Sequence, residues 1–270
     1  MDAGSIFIDQ MGYEVGVPHI PTRVISLVPS QTELLYYLGL QDSIVGITKF
    51  CIHPDDGVRN KTKIGGTKKL NFEIIKSLNP DLIIGNKEEN YQEGIEQLKS
   101  HYSVWMSDID SLESSLDMIQ QLGVIFGVSD RANHLADSVR IGFNGLPKFK
   151  TLSALYFIWN SPKMVAGTGT FINEIMKLGG FENMISTYRY PVLDDDELRS
   201  LHPEVVLLSS EPFPFTEKHI EQFESLFPES QILIVDGEMF SWYGSRLLHI
   251  PDYLIQLRER LIPTFSKSAQ

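Results

Sequence analysis

Aromatic and polar residues gather at a few places in this chain. These are Pro29-Ser30, Lys49 through His53, Asn86-Lys87, Trp159 to Pro162 with Met164, Tyr188 through Pro191, Ser209 to Phe215, and Asp236 through Tyr243. Phe50, Trp159, Tyr188, Tyr190, Phe240, Trp242 and Tyr243 supply the rings. Ring faces grip a large, flat or apolar ligand, and nearby hydroxyls and amides fix its orientation. A plainer reading, that these rings plug a seam between two halves of the molecule, stays open at this point.

Other chemistries find less support. Cys51 and His53 could offer sulfur and nitrogen to a metal, but two donors do not complete a tetrahedral site and no third stands nearby. Gly167-Thr168-Gly169-Thr170-Phe171 has the look of a phosphate cradle. Ile172, however, stands where the third glycine of a dinucleotide fingerprint belongs, and no Gly-Lys-Ser/Thr follows. Neither a Gly-x-Ser-x-Gly elbow nor a His-Glu-x-x-His zinc motif occurs. The expectation is therefore a binding protein with no catalytic residue, no bound metal of its own and no resident cofactor.

The elements that must position these residues alternate along the chain. Arg23–Val28 is a short apolar run ended by Pro29-Ser30, and a helix is expected over Gln31–Leu38. Strands are predicted at 44–48, 81–84 and 104–106, with helices at 71–78, 92–100 and 112–126. A second series follows: strand 152–159, helix 171–178, helix 195–201, strand 205–208, helix 217–226, strand 232–235 and a closing helix 246–261. Strands spaced by helix-length segments predict parallel sheets covered on both faces, with candidate ligand loops at the strands' C-terminal ends.

The two series echo each other without a gap. Glu73-Ile74-Ile75-Lys76-Ser77-Leu78-Asn79-Pro80-Asp81-Leu82-Ile83-Ile84 aligns on Asp196-Glu197-Leu198-Arg199-Ser200-Leu201-His202-Pro203-Glu204-Val205-Val206-Leu207. Between the series lies 129–143, with Ala132, Leu135, Val139 and Phe143 at helical spacing and no strand signal. The expected fold is α/β: two Rossmann-like lobes with short parallel sheets (1–128 and 148–270) joined by one long backbone helix within 129–147. The repeat also pairs Glu73 with Asp196. Two carboxylates related in this way suit a two-fold partner carrying basic groups. Equally, the acidic run Asp194–Glu197 suits a helix N-terminus through the dipole alone.

Composition narrows the partners. The chain has 270 residues, 42% hydrophobic and 21% charged, which is enough for a sizeable core. Its net charge of −12 argues against nucleic acid, because phosphate binding needs clustered Lys and Arg. Met1-Asp2-Ala3-Gly4-Ser5 shows neither the basic nor the apolar stretch of a signal peptide, and Cys51 lies too far in to anchor a lipid. The sequence as written thus predicts a cytoplasmic chain, or one whose export signal is not part of it.

Taken together, the phrases Arg23–Leu34, Leu38-Gly39, Val45–Thr48, Asn71–Glu73, Leu78–Ile84, Gly179–Asn183, Tyr190-Pro191, His202–Glu204 and Gly244–Arg246 resemble a known family. It is that of the helical-backbone (class III) periplasmic substrate-binding proteins of ABC importers, which carry vitamin B12, iron siderophores or haem. The resemblance runs from about residue 21 to the C-terminal helix and is strongest to the cobalamin-binding subfamily. It implies a monomeric receptor that captures a corrinoid, siderophore or haem in an inter-lobe cleft and delivers it to an ABC permease dimer, with Glu73 and Asp196 meeting permease arginines. It also implies ligand contacts at Pro29, Thr67, Asn86, Met164, Tyr190, Glu238 and Trp242, to which the strand-end reading adds Ser30, Phe50, Trp159 and Tyr243. The alternative is a cytoplasmic corrinoid or metal-chelate carrier or sensor with no permease.

Overall fold

A computed structural model describes residues 4–17 and 19–261. The strands are β1 (Ser5–Ile8), β2 (Glu14–Val17), β3 (Val24–Ser26), β4 (Ile44–Ile47), β5 (Thr62–Lys63), β6 (Leu82–Asn86), β7 (Val104–Ser107), β8 (Leu152–Trp159), β9 (Met164–Val165), β10 (Phe181–Asn183), β11 (Val205–Ser209) and β12 (Gln231–Val235). The α-helices are α1 (Pro29–Tyr37), α2 (Asp55–Val58), α3 (Phe72–Leu78), α4 (Gln92–Lys99), α5 (Leu112–Ile125), α6 (Ser129–Asn144), α7 (Phe171–Leu178), α8 (Asp195–Arg199), α9 (Ile220–Leu226), α10 (Glu238–Ser241) and α11 (Ile250–Glu259).

The chain forms two compact units. The first takes the described residues up to Ile109, Glu113–Arg140 and Tyr243–Arg246; the second takes Asp110–Leu112, Ile141–Trp242 and the described residues from Leu247 onward. The first unit's sheet runs β5-β4-β3-β6-β7 with every pairing parallel. The second unit's runs β10-β8-β11-β12, also parallel, and β9 lies antiparallel on β8. Short, fully buried apolar strands such as Val24–Ser26 and Val205–Ser209 are what parallel sheets covered on both faces require.

Several boundaries differ from the sequence pattern for clear reasons. Helix α1 starts at Pro29, two residues before the expected start, because a proline is at home in the first turn, where its missing N–H is not needed. The closing segment breaks into a 3₁₀ turn at Ser245–Leu248 and α11, which starts afresh with Pro251 in its first turn. The antiparallel pair β1–β2 has no counterpart in the sequence pattern, although Val15 and Val17 alternate inward along it. Helix α6 is continuous over its sixteen residues and buries Ala132, Leu135, Ala136, Val139 and Phe143, the expected stripe plus one alanine. Tyr243–Arg246, expected with the second half, groups with the first unit. There Gly244 N–H donates to Ser115 Oγ at 3.3 Å, and the Arg246 guanidinium meets Glu33 at 3.1 and 2.7 Å.

The internal echo holds at matching positions. Asn71 and Asp194 cap α3 and α8 through their side chains. Asn79 and His202 follow those helices in the left-handed conformation, at φ 42° and 48°, each before a proline. Asp81 then accepts from Thr22 N (2.8 Å), Thr22 Oγ1 (3.1 Å) and Arg23 N (3.0 Å), tying the start of β6 to the start of β3. Glu204 does the same for β11 and β8, accepting from Ser153 N at 2.8 Å and donating its own N–H to Ser153 Oγ at 3.0 Å.

Candidate functional site

In the first unit, Pro29 and Ser30 open α1, and Asn86 and Ser107 close the neighbouring strands β6 and β7. Asn86 is buried and fully engaged: Nδ2 donates to Ser107 Oγ at 3.0 Å, and Oδ1 accepts from Glu88 N (2.8 Å) and Glu89 N (3.2 Å). Its own N–H donates to Asn90 Oδ1, and Asn90 Nδ2 donates to the Thr67 carbonyl, both at 2.9 Å. Gln31 Nε2 donates to Ser107 Oγ at 2.8 Å. Tyr243 is buried in the same unit, and burial pushes its phenol well up, with Glu89 adding to the rise. The structure thus links Thr67 and Asn86 through Asn90 and Ser107, and Gln31, next to Ser30, donates to the same Ser107; the sequence did not single out Gln31, Asn90 or Ser107. Ser107 was out of reach because its strand was expected to end at Met106.

Phe50 stands half exposed with Lys49 Nζ 4.9 Å from its ring centroid. Next to it, Cys51 is buried, its sulfur 3.1 Å from Thr32 Oγ1 and 3.2 Å from Thr48 Oγ1. Burial pushes this thiol up, and those two hydroxyls offset part of the rise. No group of three or more His, Cys, Asp or Glu among the described residues is arranged to hold a metal ion.

In the second unit, Trp159 ends β8, 39% exposed, edge-on to Phe213 at 5.5 Å, its Nε1 donating to the Ser161 carbonyl at 3.0 Å. Met164 pairs across from it on β9 and bridges to Val192, so the Tyr188–Pro191 loop carrying Tyr190 runs alongside. Glu238 opens α10, and buried Trp242 follows its end. Phe240 leaves the candidate surface. It is fully buried, tilted against Tyr156 at 4.9 Å, because the four-residue helix turns it inward.

The glycine-rich stretch before α7 also has a structural cause. A Cβ at Gly167 would fall 2.0 Å from the Thr187 carbonyl oxygen, and Gly167 N–H donates to the Arg189 carbonyl at 2.7 Å. Thr170 caps the helix, accepting from Asn173 N at 3.1 Å. The glycine lets the Tyr188–Tyr190 segment approach closely.

Glu73 and Asp196 are exposed and hold the same place, the second residue of α3 and of α8. Asp194 forms a full capping box with Glu197 in front of Asp196. Asp194→Ala is expected to cost about 1 kcal/mol in urea denaturation, while the conservative Asp194→Ser stays near wild type.

A cavity of about 470 Å³ in the second unit lies at the other ends of its strands, among Leu152, Val205, Gln231 and Arg258. It is remote from these loops. No described helix is long and apolar enough to cross a membrane.

Two units of parallel sheet, each presenting rings and amides where its strands end, define a ligand-binding protein of the α/β two-lobe class. Residues 24–228 match the family described as periplasmic binding protein, and the chain belongs to it. That family binds solutes and is not a family of enzymes. YvrC of Bacillus subtilis, an ABC transporter substrate-binding lipoprotein, is 27% identical over 212 residues, covering 74% of this chain and 67% of YvrC. The vitamin B12-binding protein of Vibrio vulnificus is 26% identical over 198 residues, 69% of this chain and 71% of that one. The structure of a periplasmic haem-binding protein from Pseudomonas aeruginosa matches with a TM-score of 0.73 at 21% identity, covering 90% of this chain and 94% of the other.

Proposed function

We propose that the chain is the receptor of an ABC importer, working as a monomer outside the cytoplasmic membrane and carrying a bulky cofactor-like ligand. The observation that carries this reading is the gathering of rings at the C-terminal strand ends of both sheets, among them Phe50, Trp159, Tyr190, Trp242 and Tyr243. Cobalamin leads among the ligands because a curated relative is named for it, with haem and ferric siderophores behind. Ser30 and Thr67 in the first unit, with Met164 and Glu238 in the second, supply orienting contacts, and Asn86, its own polar atoms already engaged, braces the turn that follows β6. Pro29 shapes the loop at which α1 begins. Glu73 and Asp196, matched in position and exposed, meet arginines of the permease dimer.

Titration with cyanocobalamin, haem and a ferric siderophore, followed by tryptophan quenching and calorimetry, tests the reading. One ligand should bind tightly at one to one, and Tyr190→Ala and Trp242→Ala should each weaken it by roughly thirtyfold, the scale of an aromatic hot spot. Failure of all three ligands to bind would overturn the assignment of cargo.

A further inference from the structure

Glu211 is the charged residue at the end of β11 that no aromatic account of the surface requires. Its Oε1 accepts from Trp242 Nε1 at 2.9 Å and from Ser241 Oγ at 2.8 Å. The backbone beneath is held as well. Ser209 Oγ donates to the Glu211 carbonyl at 2.6 Å and accepts from the buried Tyr156 hydroxyl at 3.0 Å. Gly237 lets the carboxylate arm pass, since a Cβ there would lie 2.5 Å from Glu211 Cγ. Gly237 N–H is itself tied to Ser210 Oγ at 2.9 Å. This carboxylate is fixed in place from several sides, unlike an acid that swings in water.

We infer that Glu211 is the positioning residue of the Trp242 indole and, through it, a specificity determinant of the second unit's strand-end loops. An indole has one donor, and here that donor is committed to a carboxylate. Such a bond is charge-assisted and holds the ring in one orientation. What Trp242 can then offer a ligand is ring face and edge carbon, which suits a flat or apolar group. An oxygen-rich anion, whether carboxylate, catecholate or hydroxamate, would meet no indole donor and would face the Glu211 charge. The ligand class this wall accepts is a neutral or cationic ring system. The specificity half rests on the receptor reading, in which Trp242 touches the ligand; the positioning half does not.

The surroundings give the hydrogen bond a pH signature. Burial raises the Glu211 carboxyl above its usual 4.5, and Glu238 on α10 and Asp236 after β12 raise it further, while the bonds from Ser241 and Trp242 oppose. The phenol of Tyr156 on β8 faces the same cluster. Above the raised value the charge-assisted bond is intact. As pH falls through it, the carboxyl takes a proton and the bond to the indole weakens.

The test uses indole N–H resonances of the unliganded, ¹⁵N-labelled full chain between about pH 4 and pH 8, with the Trp242 peak assigned by its loss in Trp242→Phe. It should move with a midpoint above the ordinary glutamate range, while Trp105 and Trp159 hold still. Glu211→Gln should abolish the movement and leave those two peaks in place, showing that the variant folds. With cyanocobalamin as probe, Glu211→Ala should bind about tenfold more weakly, and Glu211→Gln, whose amide oxygen still accepts, within about threefold of wild type. A Trp242 resonance that does not titrate, or titrates equally in Glu211→Gln, overturns the positioning role. A titrating resonance with Glu211→Ala and Trp242→Ala both binding normally overturns the specificity role and places the failure in the receptor reading. If cyanocobalamin does not bind at all, cobalamin falls as the cargo and the resonance alone decides the positioning role.

Discussion

Phe157→Ala should lower the stability of the second unit by about 3–5 kcal/mol. Phe157 lies in the central strand β8 and is fully buried. Its ring meets Phe223 edge-on at 4.7 Å and Phe227 at 6.2 Å, in a cluster with Val206, Leu208 and Phe215. Strands on both sides and α9 above limit how far the site can collapse, so the loss includes a cavity as well as transfer energy. Against a typical total of about 5–15 kcal/mol this is a large share. Tryptophans report on the units separately: Trp105 on the first, Trp159 and Trp242 on the second. Urea unfolding of the variant, followed with single-tryptophan versions, should show the second unit melting ahead of the first. A change under about 1 kcal/mol would show that the cluster closes over the gap.

Asp81→Ala is expected to cost about 1 kcal/mol in the first unit, because its carboxylate serves three exposed donors at the joined starts of β3 and β6. Removing it gives the exposed Thr22 and Arg23 amides back to water, so the tie between the strand starts is lost while no donor is left buried and unpaired. Asp81→Asn keeps an acceptor and should recover about half the loss. Amide hydrogen exchange reads the effect directly: Thr22 and Arg23 should lose protection in Asp81→Ala before Ile25 or Ile83 does. Uniform loss across the unit would mean that the contact acts on global stability and not as a local tie.

Much of this was legible in the sequence where caps and breakers are strong. Strand β8 and helix α7 fall on the expected residues because Thr170 and Gly179 bracket the helix and Trp159 ends the apolar run that starts at Ala154. The short elements β5, β9 and α10 escape because so brief a segment without an apolar run around it shows no period. For the same reason the sequence could not tell that Phe240 turns into the core against Tyr156 while the Trp242 indole reaches Glu211. Residues that act by holding others were also hidden. Ser107, Asn90 and Glu211 carry no ring and no motif, and their roles arise from partners 21 to 31 positions away, as with Asn90 and Thr67 or Glu211 and Trp242. Glu211 did leave a trace, as an acid two residues past a buried strand and before a proline.

The paired ties of Asp81 and Glu204 have a consequence for how such a chain can change. Both sit where their strands begin, whereas every candidate ligand loop sits where a strand finishes. Mechanical anchoring and chemical recognition therefore occupy opposite poles of each sheet. Loops at one pole can be rewritten for a new cargo while the other pole keeps the strands in register. That separation makes the scaffold evolvable, and it marks the loops, rather than the sheet, as the place for an engineer to graft a different appetite.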